Sequence, residues 1–63
     1  MFMKPKDLKV GMHVFVEGYA RTRFLVDKVK SPEFHLVYDL SGQTERGEFG
    51  WCKLDELWVD SNE

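Results

Sequence analysis

One cysteine, Cys52, stands in 63 residues, so the chain closes no internal disulfide and has no pair of CxxC hooks for a structural zinc site. No apolar run is long enough to span a membrane, and Met1-Phe2-Met3-Lys4-Pro5 lacks the charged start and hydrophobic stretch of a signal peptide. These absences lead to the expectation of a cytoplasmic protein in a reducing compartment, with no membrane partner. Helical periodicity, internal repeats, linkers and low-complexity tracts are missing too. A chain this short buries only about 60% of the surface its unfolded form exposes, so residues 1–63 are expected to form one domain with a small core. Stability must then come from apolar packing, alone or with self-association.

What is present is alternation. Side chains along a strand point to opposite faces, so a half-buried strand reads with period two. Met12-His13-Val14-Phe15-Val16-Glu17 places Met12, Val14 and Val16 on one face and His13, Phe15 and Glu17 on the other. Phe34 to Leu40 groups Phe34, Leu36, Tyr38 and Leu40, and Gly47 to Cys52 groups Phe49 with Trp51. Thr22 to Lys30 breaks parity, since Phe24 and Val26 fall opposite Leu25 and Val29, and a bulge or bend there reconciles them. Turns are expected at Gly18–Arg21, at Ser31-Pro32 and at Ser41–Glu45, where Gly42 can supply positive φ. Lys53-Leu54-Asp55-Glu56-Leu57 is one turn long and suits a 3₁₀ link, after which Leu57–Asp60 closes the set and Ser61–Glu63 frays. The expected fold is all-β: five short strands with one 3₁₀ turn before the last, and a core of Val14, Val16, Leu36, Tyr38, Phe49 and Trp51.

Charge is divided along the chain. Residues 1–31 carry +4 and residues 32–63 carry −6, for a net −2. Strands from the two halves can set opposite charges across from each other, or the asymmetry can form a dipolar surface that steers a charged partner or favours head-to-tail association.

Catalytic and metal chemistry find little support. A nucleophilic centre needs a Ser or Cys, a base and an orienting group. Cys52, one of His13 and His35, and Asp39 supply these only nominally, because parity puts Cys52, His35 and Asp39 opposite the aromatic face and hence on the surface. The same residues show no local spacing for metal ligation. No enzyme activity, cofactor or metal is expected. The aromatic set says more: Phe15, Tyr19, Phe24, Phe34, Tyr38, Phe49, Trp51 and Trp58 exceed what so small a core can seat. Phe15, on the face of His13 and Glu17, Tyr19 in the first loop and Trp58 near the chain end are the candidates for an exposed contact patch.

Five strands with a 3₁₀ turn before the last resemble an SH3-like barrel. The entry Asp7-Leu8-Lys9-Val10-Gly11-Met12-His13-Val14 is similar to the D-L-x-x-G-x-x-V opening of SH3-like domains of the Tudor and KOW type. His35-Leu36-Val37-Tyr38-Asp39-Leu40-Ser41-Gly42 with Leu54-Asp55-Glu56-Leu57 is similar to the Tudor-like aromatic and acid before a turn glycine and L-x-x-L before the last strand. Phe49–Val59 also resembles the strand, 3₁₀ turn and final strand of the plasmid-borne type II dihydrofolate reductases. There the pore-lining strand presents Gln and Tyr, where this chain reads Phe49-Gly50-Trp51-Cys52, so the resemblance does not extend to that chemistry. The Tudor-like resemblance implies a binding module, and in some such domains aromatics cage a methylated cation. The expected function is a non-enzymatic protein-interaction module, compatible with homo-oligomerisation and with an origin on a mobile element. Its partner is a peptide held between the first loop and the 3₁₀ turn, or a second copy of the chain. Phe15, Tyr19 and Trp58 would form the contact surface, with Glu17, Asp39 and Asp55 as nearby acids. The alternative is a nucleic-acid binder using Arg21, Arg23, Lys28 and Lys30 on phosphates with Tyr19 or Phe24 stacking on bases, against which the negative net charge and the isoelectric point near 5.6 count.

Overall fold

The computed structural model describes residues 1–19, 21–39 and 47–60. Alternating apolar residues produce the expected strands: β2 (His13–Val16), β3 (Phe24–Lys30), β4 (Glu33–Tyr38), β5 (Glu48–Lys53) and, after a 3₁₀ turn at Leu54–Glu56, β6 (Leu57–Asp60). A further two-residue strand, β1 (Phe2–Met3), was not expected. All pairs are antiparallel, and one sheet runs in the order β1-β6-β2-β3-β4-β5. The turn expected at Ser41–Glu45, with Gly42, Leu40 and the chain end Ser61–Glu63, lies outside the described residues.

The all-β expectation holds, and the sheet differs from the expected five strands on two points. There are six strands, because Phe2 and Met3 pair with Asp60 and Val59 along the outer side of β6. The sheet is also open: among the described residues no ladder joins β5 to β1, which remain its two edges. Phe24, Leu36, Leu57, Val14 and Val26 nevertheless lose essentially all solvent contact. Among the described residues no second layer covers them, so the sheet curls around its own inner face, as the intrinsic twist of strands allows. Leu8, Val16, Phe34 and Cys52 complete this core, and Met12, Tyr38, Phe49, Leu54 and Val59 pack half-buried against it.

Two irregularities decide which side chains face inward. On β3 the register passes from Val26↔Leu36 to Lys28↔His35, so Asp27 is an extra residue, within the segment whose broken parity called for a bulge. On β5 it passes from Leu36↔Gly50 to Val37↔Glu48, so Phe49 is extra. This second bulge corrects the sequence-based core. Past it parity is inverted: Gly50, with φ +131°, takes the inward place opposite Leu36, Trp51 points outward and is 46% exposed, and Cys52 turns inward opposite Phe34. Phe49 and Tyr38 keep a core role but are only half-buried.

Chain connections are short and hydrogen-bonded. Ser31-Pro32, joined by a cis peptide bond, turns β3 into β4. At the end of β2, Gly18 adopts φ +87° and the Tyr19 amide donates to the Val16 carbonyl at 2.9 Å. The Glu17 amide donates to the Glu56 carbonyl at 2.9 Å, tying the first loop to the 3₁₀ turn. That tie positions the site described next.

Candidate functional site: an aromatic groove on the outer face of the first sheet edge

The outer face of the β1-β6-β2 end carries an apolar groove. Period-two alternation puts His13 and Phe15 of β2, and Glu17 just after it, on that face. Phe15 lies directly opposite Trp58 of β6, and Phe2 opposite Asp60, so the alternating positions Phe15, Trp58 and Phe2 form one aromatic strip across three strands. The Phe2 and Phe15 rings meet at 4.7 Å between centroids with a 60° tilt. Phe2, Phe15, Val16, Glu17, Gly18 and Trp58 enclose a groove of about 310 Å³.

Polar groups at its rim are specific. The Trp58 indole Nε1–H donates to Glu17 Oε2 at 2.7 Å, which holds a carboxylate against the aromatic floor. Continuing the β1 register by one residue sets Lys4 opposite Trp58. Its ammonium lies 4.1 Å from the centroid of that ring and donates to the Asp55 carbonyl. The chain thus already places a cation on the face of Trp58. Among the residues that line the groove, exposed Glu17 carries the negative charge.

The sequence-derived residues are sorted by this geometry. Phe15, Trp58 and Glu17 come together, and Asp55 is linked to them through its backbone carbonyl, which accepts from Lys4. Tyr19 does not join them: its ring packs at 5.2 Å from Phe49 and 6.1 Å from Phe24, in a cluster with Tyr38 that closes one end of the core. Asp39 is also elsewhere, with Oδ2 2.8 Å from His13 Nε2. Phe2 and Lys4 were missed. The apolar triplet Met1-Phe2-Met3 before Pro5 was the available signal, but its pairing with the far end of the chain is a long-range fact.

The basic residues of the alternative reading are dispersed. Lys30 faces Glu33 across the β3–β4 ladder and Lys28 faces His35, while Arg21 and Arg23 are exposed at the opposite end of β3. At the usual strand rise, Arg23 and Lys30 are roughly 23 Å apart. Lys53 also faces Glu33, so three charged residues alternate in sign across β3, β4 and β5, as opposite charges from the two halves of the chain can do.

His35 and Cys52 correct the expectation of surface positions. His35 is 6% exposed although it lies on the outer face, because the bulge residue Asp27 and the ring of Trp51 cover it. Its Nδ1 is 2.5 Å from Asp27 Oδ1, and the two rings are 5.0 Å apart. Cys52 points into the core instead, on the other side of the sheet from both imidazoles. Burial, reinforced by the negative charge of Glu56, pushes its thiol above the ordinary value of about 9. The fold therefore favours the neutral thiol. Its contribution to stability is intact below that pH and is lost as pH rises above it. A chromogenic disulfide reagent is expected to modify native Cys52 at least about tenfold more slowly than the urea-unfolded chain; equal rates would show that the thiol is open.

Comparison with protein-family models, with curated proteins and with solved structures finds no match for this chain.

Proposed function

We propose that this chain is a non-enzymatic protein-interaction module, a small SH3-like β domain that holds a short peptide segment in the Phe2–Phe15–Trp58 groove. The observation that carries the reading is the groove itself: partly exposed aromatic rings from three strands around one hydrogen-bonded carboxylate, Glu17. Apolar grooves with a few placed polar groups are the usual form of recognition sites, and exposed aromatic clusters mark interaction surfaces. The Glu17 carboxylate selects the occupant. A peptide presenting a Lys or Arg beside an apolar residue matches the carboxylate and the ring faces together.

The test begins with a random peptide-display library panned on the intact chain. Enriched sequences are then titrated as fluorescent peptides by anisotropy. Enrichment of a basic residue next to an apolar one is expected. Trp58→Ala and Phe15→Ala should each weaken binding by about thirtyfold, as loss of a central aromatic anchor does. Glu17→Gln should reduce the preference for the basic residue. Enrichment without charge preference, or full affinity in folded Trp58→Ala and Phe15→Ala variants, would remove the reading. Salt-dependent binding of labelled oligonucleotides would put the nucleic-acid alternative in its place.

A further inference from the structure

The geometry points to a second interaction surface: the outer edge of β5, beside which no strand lies among the described residues, is self-complementary and pairs antiparallel with β5 of a second copy. An edge strand presents a row of backbone donors and acceptors ready for another strand. β1 offers two residues and ends before Pro5, whereas β5 runs for six residues, Glu48–Lys53, without proline. Among the described residues its ladder is with β4 alone.

The side chains select the occupant. A two-fold antiparallel pair needs one residue opposite itself and matched faces on either side. β5 sets Glu48 of one copy against Lys53 of the other only when centred on Trp51. Gly50 then faces Cys52 of the second copy, both inward-pointing. The next outward position is Glu48, because the bulge takes Phe49 out of the count just as it does against β4. Glu48 of each copy thereby falls opposite Lys53 of the other, so two cross-strand charge pairs of opposite sign flank a central pair of Trp51 rings. Glu48, Trp51 and Lys53 are the exposed residues of this strand, whereas Gly50 and Cys52 are not. Centring on Gly50, with Phe49 again out of the count, would set Trp51 against Glu48 and lose both Glu48–Lys53 pairs. A bulge and a terminal lysine are devices that deter indiscriminate edge pairing. A second β5 accommodates both at once, because each Lys53 meets the Glu48 beside the other copy's bulge. This surface is separate from the groove of the preceding section and does not depend on it.

The experiment is a charge-exchange cycle read by sedimentation equilibrium over a concentration series, with circular dichroism to verify folding. The wild-type chain is expected to dimerise. Glu48→Lys and Lys53→Glu should each weaken the dimer by at least about tenfold, since each substitution acts twice across the two-fold and turns two attractive pairs into two repulsive ones. The double variant Glu48→Lys, Lys53→Glu should restore self-association, and Trp51→Ser should weaken it. Trp58→Ala, which changes the groove, should leave it unchanged. A wild-type chain that stays monomeric at millimolar concentration would overturn the proposal. So would folded single-charge variants that dimerise like wild type, or a double variant that does not recover.

Discussion

Replacing Phe24 by alanine is expected to cost about 3–5 kcal/mol, the usual penalty for emptying a buried phenylalanine site. Phe24 has no exposed surface, and its ring touches those of Tyr38, Phe49 and Tyr19 at 5.1, 4.6 and 6.1 Å. It lies between the core proper and the half-buried aromatics that close one end, so its loss opens a cavity that three other rings border. A domain of 63 residues has a total stability of only about 3–9 kcal/mol. The variant should therefore be largely unfolded, or melt far below wild type, in thermal denaturation followed by far-ultraviolet circular dichroism. Phe24→Leu, which keeps most of the volume, should retain the fold. Equal stability of Phe24→Ala and wild type would mean that the rings of Tyr19, Tyr38 and Phe49 do not rest on Phe24.

The second large effect concerns two imidazole–carboxylate pairs of the same chemistry and different burial. His35 and Asp27 are 7% and 33% exposed at their side chains, whereas the values for His13 and Asp39 are 34% and 18%. Removing Asp27 as alanine strips the near-buried His35 Nδ1 of its acceptor. Glu48, with Oε1 at 3.9 Å from Nε2, is too far away to replace it. Leaving a buried polar group without its partner costs about 1–3 kcal/mol. Asp39→Ala, whose histidine partner keeps access to water, should cost only about 0–1 kcal/mol. Urea titrations measure both as shifts of midpoint at constant slope. A double-mutant cycle on Asp27→Ala and His35→Ala should show coupling of about 0.5–3 kcal/mol. Equal costs for Asp27→Ala and Asp39→Ala would show that burial does not distinguish the pairs.

How much of this was legible in the sequence depended on how local the cause was. The alternation from Met12 to Glu17 placed Val14 and Val16 inward and Phe15 and Glu17 outward, because face is a property of neighbouring residues. The bulge in β3 was legible as well, since Phe24 and Val26 against Leu25 and Val29 cannot share one regular strand. The bulge in β5 was not. Gly47 to Cys52 alternates without fault on paper, and only pairing with β4 shows that Phe49 is surplus, with Trp51 moved to the outer face and Cys52 to the core. His35 follows the same logic. Its parity is that of a surface residue, and it is buried because a residue displaced by the β3 bulge and a ring displaced by the β5 bulge meet over it.

By itself the sequence determined the all-β class, the order of the main strands, the 3₁₀ turn before the last of them, and the surplus of aromatics over core places. Each follows from short-range periodicity, turn residues and composition. Tertiary structure alone decided which aromatics meet. Phe15 joins Trp58 because β2 pairs with β6, and Phe2 joins both because the two ends of the chain pair with each other. Tyr19 was assigned to the same patch and instead caps the core with Phe24 and Phe49. The physical reason is that strand register is set by the whole sheet. A shift of one residue moves a side chain to the opposite face, and local pattern does not encode which distant strand will lie alongside.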